Sequence, residues 1–254
     1  MSALVVVRKE LLELRRSPVL LLSMASLPAT VVAVPVALLA FLVRAAPEQA
    51  LAFVQDLYGV HAGGPVAGVA SALARNWLPM FLVLPVYLPI LIAAQSIGGE
   101  RERRTLEPLL ATPVSTLAIV LGKSIAALLP AVVITWIAAA LFCFGVDVVV
   151  GRWLLPDAQW LFGTLVLSPL LALFGNAMAV VVSARVLDPR AAQNIAAMTV
   201  VPLLGLLVVQ LAGRIALGAR FYLALSLGIA LADVVLVFIA VRSFDRERLL
   251  TRWR

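Results

Sequence analysis

The sequence contains very little of the chemistry from which enzyme active sites and metal centres are built. It has a single cysteine, Cys143, and a single histidine, His61. One cysteine excludes a disulfide within the chain and a cysteine-cluster metal site. A lone histidine among glycine and alanine is most often a solvated side chain, and the chain has no His-Glu-x-x-His or Gly-x-Ser-x-Gly motif. We therefore expect no catalytic residue and no bound metal.

Charge is scarce as well. Only 13% of the residues are charged, against about a quarter in a soluble domain, whereas 63% are hydrophobic. The mean hydropathy is +1.09, so the chain has too little polar surface to cover itself in water. These values are typical of a multi-pass integral membrane protein. The net charge of +7 then reflects basic residues that flank membrane spans, and we expect no nucleic-acid partner.

Long hydrophobic runs, in contrast, are abundant. Six of them are long enough to cross about 30 Å of hydrocarbon, and only helices are plausible because lipid cannot satisfy open backbone groups. The sequence therefore predicts an all-α integral membrane protein, a single domain over 1–254 with an external loop at 44–76 and a cytoplasmic loop at 99–116. The six transmembrane helices are expected at about 18–43, 77–98, 117–145, 160–182, 192–212 and 221–241.

The positions of lysine and arginine predict the orientation of these spans. Fifteen of them fall on the side that holds both termini, and five fall on the other side. Because basic residues collect on the cytoplasmic side, both termini are expected in the cytoplasm. The N-terminal residues 1–17 predict an amphipathic helix resting at the inner interface, with an apolar face formed by Leu4, Val7, Leu11 and Leu14.

Two polar residues lie well inside predicted spans. Asp233 is near the middle of the sixth span, and Asn176 lies in the fourth. An unpaired carboxylate at that depth costs about 2.5–3.5 kcal/mol on insertion scales. These side chains either line a translocation path or form hydrogen bonds between helices.

Small residues recur at every fourth position in three spans, which permits close contact between helices. In an alanine-rich chain this pattern favours ordinary bundle packing. The three stripes are Ala127-Ala131-Thr135-Ala139, Gly175-Ala179-Ser183 and Ala224-Gly228-Ala232.

The cytoplasmic loop concentrates the charges that the rest of the chain avoids. Its sequence begins ERERRTLEPLLATPV, in which Glu100 can pair with Arg104 one helical turn away. Thr105 is a good helix N-cap, Pro108 falls in the first turn, and Pro113 ends the helix. The loop therefore predicts a short amphipathic helix parallel to the membrane, whose apolar face consists of Leu106, Leu109 and Leu110.

The tetrapeptide LGKS at 121–124 is similar to the end of a phosphate-binding loop. That motif requires a glycine at position 117, which is leucine, and the segment enters a membrane span instead of following a strand. We expect no ATP site of this type in the chain.

The loop resembles the cytoplasmic loop of type-2 ABC transporter permeases, whose pattern is roughly Glu-x-Glu-x-Gly-Thr-Leu-Glu-x-Leu-Leu-x-Thr-Pro-Val. The chain departs from it at Arg104, where the family usually has glycine. The N-terminal segment is similar to the family through Lys9, Glu10, Arg16 and Pro18. The loop before the fifth span and that span itself are similar through Ser183, Arg190, Ala192, Gln193 and Pro202.

The resemblance implies a half-transporter in the inner membrane of a bacterial or archaeal cell. Two permease chains, alike or different, would form the translocation path of an exporter. Separate ABC ATPase subunits would bind the ATP, so this chain would need no cofactor of its own. The loop helix would be a coupling helix seated in a cleft of the ATPase. The residues assigned to this coupling are Glu100, Glu102, Arg104, Thr105, Leu106, Glu107, Leu109 and Leu110.

The sequence leaves three alternative functions open. A membrane-embedded enzyme acting on lipid or peptide would need convergent polar groups, and Asn176 and Asp233 are far apart in sequence. A non-transporting membrane assembly factor could use the same coupling helix. A secondary transporter would be expected to carry more ionisable residues within its spans.

Overall fold

The computed structural model describes residues 3–45, 64–102, 116–183, 185–186, 188–211 and 218–243. Within these ranges all regular structure is helical. The helices are α1 (Ala3–Arg16), α2 (Pro18–Ala45), α3 (Pro65–Phe81), α4 (Val83–Glu102), α5 (Thr116–Val150), α6 (Ala158–Phe162), α7 (Ser168–Ser183), α8 (Pro189–Ala197), α9 (Val201–Leu211) and α10 (Ala219–Ser243). A π-helical turn, Gly163–Leu167, joins α6 to α7, and a 3₁₀ turn, Met198–Val200, joins α8 to α9.

These helices form six segments that are long and apolar enough to cross a membrane, which confirms the predicted all-α architecture and number of spans. Each contains at least 21 residues, or about 30 Å of helix. The segments are Pro18–Ala45, Pro65–Ala93, Leu121–Val150, Ala158–Ser183, Arg190–Gln210 and Ala219–Ala240.

The second span begins earlier than the sequence predicts. Its helix starts at Pro65 instead of 77, so the end of the predicted loop at 44–76 is helical. The stretch from Pro65 to Asn76 contains alanine, glycine and the charged Arg75, so its hydropathy is modest. Ala67, Ala70 and Ala74 are nevertheless buried, so packing against neighbouring helices stabilises a stretch of modest hydropathy. The other five spans begin and end within a few residues of the prediction.

The core of the bundle is built around α4 and α7. Gly175 in α7 packs so closely on α4 that an added Cβ would lie 2.4 Å from the Val86 carbonyl oxygen. This contact explains one predicted small-residue stripe, whose other members, Ala179 and Ser183, are also buried. The stripe from Ala127 to Ala139 is buried as well, whereas Ala224 and Gly228 of the third stripe are exposed.

An aromatic cluster joins three of the spans. The ring centroids of Phe81 and Phe142 are 5.0 Å apart, as are those of Phe81 and Trp160. Phe142 and Trp160 stack with their centroids 4.9 Å apart. All three side chains are almost fully buried, so α3, α5 and α6 are held together at the end of the bundle remote from segment 103–115.

The N-terminal helix α1 packs against the bundle through one of its faces. Its buried residues are Val6, Glu10 and Leu14, whereas Leu4 is 76% exposed. An exposed Leu4 is compatible with an apolar face that rests on the membrane, and that face stays a prediction. The helix packs on the first turns of α5. The polar Glu10 is buried because it forms an ion pair with Lys123, a partner that hydropathy does not predict. The position of α1 at the inner membrane interface stays a prediction.

Candidate functional site

The predicted coupling segment lies mostly outside the described residues. Glu100 and Glu102 belong to the last turns of α4, which continues through Gly98 and Gly99 beyond the predicted end of the second span. The remaining predicted coupling residues, Arg104, Thr105, Leu106, Glu107, Leu109 and Leu110, are outside the described ranges. The structure thus defines the two ends to which the segment is attached, α4 and α5.

A buried ion pair lies near the beginning of α5. Lys123 Nζ is 2.8 Å from Glu10 Oε1, and the two side chains are only 8% and 7% exposed. Lys123 lies in the second turn of α5, so the pair ties the N-terminal helix to the helix that directly follows the coupling segment. Each charge at such a site depends on the other, because removal of one leaves the other buried without this close contact.

A more exposed pair accompanies the buried one on the same helix. Lys9 Nζ is 3.4 Å from Glu13 Oε1, with side-chain exposures of 43% and 58%. Lys9 Nζ also lies 3.8 Å from the buried Glu10 carboxylate. Exposed pairs contribute little to stability, so of these ion pairs we expect the buried Glu10–Lys123 contact to affect α1 most.

The two polar residues predicted within spans are both buried. Asp233 and Asn176 are each 3% exposed. Asp233 lies on the same face of α10 as the buried Tyr222, Ser226 and Ala240, and α10 packs against α7. Neither oxygen of Asp233 nor the side-chain oxygen of Asn176 has a hydrogen-bond partner among the described residues. The structure therefore buries both residues but does not join them.

Gln210 is a buried polar residue that the sequence reasoning missed. Its Nε2 donates a hydrogen bond to the carbonyl oxygen of Arg75 over 2.9 Å, which fastens the end of the fifth span to α3. Its side-chain oxygen has no partner among the described residues. Its place at the end of an apolar run could have signalled an interhelical contact, but the partner is a backbone atom 135 residues away.

Asp147 was also missed, although it is an acidic residue near the end of an apolar helix. It is 6% exposed. Its Oδ1 accepts hydrogen bonds from the amides of Leu154 and Leu155, over 2.8 and 3.0 Å. The side chain thereby holds the turn that leads from α5 to α6. Its Oδ2 has no hydrogen-bond partner among the described residues.

Asp147 lines a cavity of about 310 Å³ between α5, the turn after it and α6. We call it the tryptophan cavity, because Trp136, Trp153 and Trp160 contribute to its wall. Across the described ranges, no group of three or more histidine, cysteine or acidic side chains is placed to hold a metal ion.

Residues 4–226 match the family model described as ABC-2 family transporter protein. The match extends from α1 into α10 and therefore includes the coupling segment and five complete spans. No curated protein matches the sequence.

Proposed function

The chain belongs to the ABC-2 transporter family and is a membrane subunit of an ABC transporter, and we propose that it forms the translocation path of an ATP-driven exporter as one half of a permease dimer. The observation that carries the proposal is the family match, which includes segment 103–115 within a chain of six apolar helices. Two alike or different permease chains would assemble with separate ABC ATPase subunits, which bind and hydrolyse the ATP.

The proposed mechanism begins at the coupling segment. ATP-driven closure of the ATPase pair would push on the short helix that the sequence predicts around Leu106, Leu109 and Leu110. The segment is attached directly to α4 at one end and to α5 at the other. Displacement of the segment therefore tilts both spans as rigid bodies around a central path.

The Glu10–Lys123 pair extends this movement to the N-terminal helix. Lys123 is eight positions beyond the end of segment 103–115 and is held to α1 at 2.8 Å. A buried ion pair of this geometry resists separation. We propose that α1 and the first turns of α5 move together when the segment is displaced.

The proposed orientation places segment 103–115 and both termini in the cytoplasm of a bacterial or archaeal cell. It is supported by the distribution of lysine and arginine, which favours the side with both termini by fifteen to five. Asn176 and Asp233 would then lie within the bilayer, where a buried unpaired polar group is costly. We assign them to polar contacts between helices or along the path.

The proposal is tested by affinity purification of the chain from its native membranes in a mild detergent. We expect an ABC ATPase subunit to be recovered in about a one-to-one ratio with the chain. The variants Leu109→Asp and Glu102→Lys should still insert but should lose most of the bound ATPase, because each places an unfavourable charge at the proposed contact. The recovered subunits are quantified by mass spectrometry.

Ala158→Asp provides the matched control for the added negative charge. Ala158 is exposed and begins α6 at the other end of the bundle, where an acidic residue at a helix N-terminus is tolerated. This variant should retain its ATPase. Equal recovery of ATPase with Leu109→Asp and Ala158→Asp would contradict the proposed contact, and no ATPase with the unaltered chain would contradict the function.

A further inference from the structure

The tryptophan cavity combines an almost wholly apolar wall with one buried carboxylate. Its volume of about 310 Å³ is at the lower end of the range for small-molecule sites. The apolar part of the wall includes Trp136, Ala140, Cys143, Phe144, Trp153, Leu155, Trp160 and Leu165. Such a site excludes a strongly hydrated ion but accepts the hydrocarbon part of an organic molecule.

Only one of the two carboxylate oxygens of Asp147 accepts hydrogen bonds from the described residues. Its Oδ1 is held by two backbone amides, which fix the side chain in place. Its Oδ2 has no hydrogen-bond donor among the described residues. A buried acceptor without a donor is costly, so a ligand that supplies an N–H donor and a positive charge would be favoured at this position.

A second carboxylate adds to the negative potential on the same side of the bundle. Asp157 accepts a hydrogen bond from the amide of Trp160 over 2.8 Å. Asp157 is the N-cap of α6 and directly follows Pro156, which lines the cavity together with Trp160 of the same helix. Arg152, on the connecting turn, forms no ion pair with either carboxylate. The local field thus favours a cation.

The aromatic side chains suit the same ligand. Indole and phenyl faces attract a positive charge, most strongly where water is excluded. Trp160 is buried, whereas Phe144 and Leu165 are more than half exposed and form an apolar rim. If the cationic head of a ligand lies inside the cavity, the hydrocarbon chain of that ligand can therefore pack against this apolar rim.

We propose that the tryptophan cavity binds an amphiphilic ammonium ion, with the N–H-bearing head at Asp147 and the hydrocarbon body against the aromatic wall and rim. The class of ligand is a primary or secondary amine in its protonated form. It can come from a soluble amphiphilic amine or from the amino headgroup of a lipid. The inference does not depend on the proposed function, since the binding requires neither ATP nor an ATPase.

The test measures binding of octylammonium, with octanol as the uncharged analogue, to the full chain in phosphatidylcholine nanodiscs at neutral pH. Phosphatidylcholine is chosen because its headgroup has no N–H donor. Tryptophan fluorescence reports occupancy of the cavity. We expect saturable binding of octylammonium at least about tenfold tighter than that of octanol, as a charge-assisted hydrogen bond provides.

Asp147→Asn is the main variant. It retains an oxygen that can accept from Leu154 and Leu155 but removes the charge, so the preference for octylammonium should fall to about onefold. Partition of the probes into lipid is the same in both samples and cancels. An unchanged preference in the variant, or no saturable binding by the unaltered chain, would overturn the proposal.

A second pair of variants tests the site without altering the buried carboxylate. Ala140 is exposed and lines the cavity, so Ala140→Phe should block it and abolish saturable binding. Ala33 is exposed on α2 and does not line the cavity, so Ala33→Phe should bind normally. Equal binding by these two variants would also contradict the proposed site.

The source of the ligand is distinguished by the lipid composition. Replacing part of the phosphatidylcholine by phosphatidylethanolamine should weaken octylammonium binding if the headgroup of a lipid occupies the cavity. Unchanged binding would assign the cavity to soluble amphiphilic amines. Both results uphold an ammonium site, and they identify which of the two sources fills it.

Discussion

Gly175 shows how a single residue sets the spacing of the two central helices. The hydrogen at its Cα allows α7 to lie directly on the backbone of α4, where a methyl group would come within 2.4 Å of the Val86 carbonyl oxygen. The neighbour is a backbone atom in a buried helix and cannot rotate away as a side chain could. Small residues at such positions allow close helix packing in membranes.

Gly175→Ala is therefore expected to destabilise the protein by about 1–3 kcal/mol, the usual cost of overpacking a core. The apparent melting temperature of the detergent-purified chain measures the effect. Gly228→Ala is the matched control, because Gly228 is in α10 with open space around its Cα. The control should be neutral or stabilising by up to about 1 kcal/mol, since alanine favours a helix. A similar loss of stability in both variants would contradict the role of the close contact.

At the scale of whole elements, the attachment of α1 to α5 depends on a buried charge. The apolar residues Val6 and Leu14 lie on either side of Glu10 in the packed face. Without Lys123 the buried Glu10 carboxylate would lose its 2.8 Å contact, which would favour release of the helix. The contact is therefore specific for this pair of helices.

Lys123→Met should destabilise the protein by about 3–5 kcal/mol, because it removes one partner of a buried pair. The double variant Glu10→Leu with Lys123→Met should recover most of that loss, since both charges are then replaced by apolar side chains. Lys9→Met removes a partly exposed charge that lies 3.4 Å from Glu13 and 3.8 Å from Glu10, and it should cost less than about 1 kcal/mol. Thermal unfolding of the four proteins gives the comparison. Additive losses in the double variant would show that the two residues are not coupled.

At the scale of the whole molecule, the number and type of spans could be predicted because hydropathy over about 20 residues determines which helices cross a bilayer. The start of the second span could not be predicted in this way, because the burial of Ala67 and Ala70 depends on contacts with neighbouring helices. The partnership of Glu10 with Lys123 could not be predicted either, because the two residues are 113 positions apart. Asp147 could have been noticed in the sequence, because it is an acidic residue in an apolar run. Its hydrogen bonds to the amides of Leu154 and Leu155 could not be predicted, because they depend on the conformation of the turn after α5.

Three observations bear on the coupling segment. Its residue pattern predicts a contact with another protein, α4 and α5 are attached to its ends, and the family match indicates an ABC transporter. The proposed coupling therefore requires that an ATPase subunit touches this segment, at or near Leu109, in native membranes.

Site-directed photo-crosslinking from position 109 in native membranes measures this contact most directly. A photoreactive residue at 109 is predicted to crosslink to an ABC ATPase subunit, identified by mass spectrometry, whereas the same residue at the exposed position 158 is not. A yield that changes when ATP is bound would follow from movement of the coupling helix. Crosslinking of an ATPase from 158 as efficiently as from 109, or from neither position, would contradict the account.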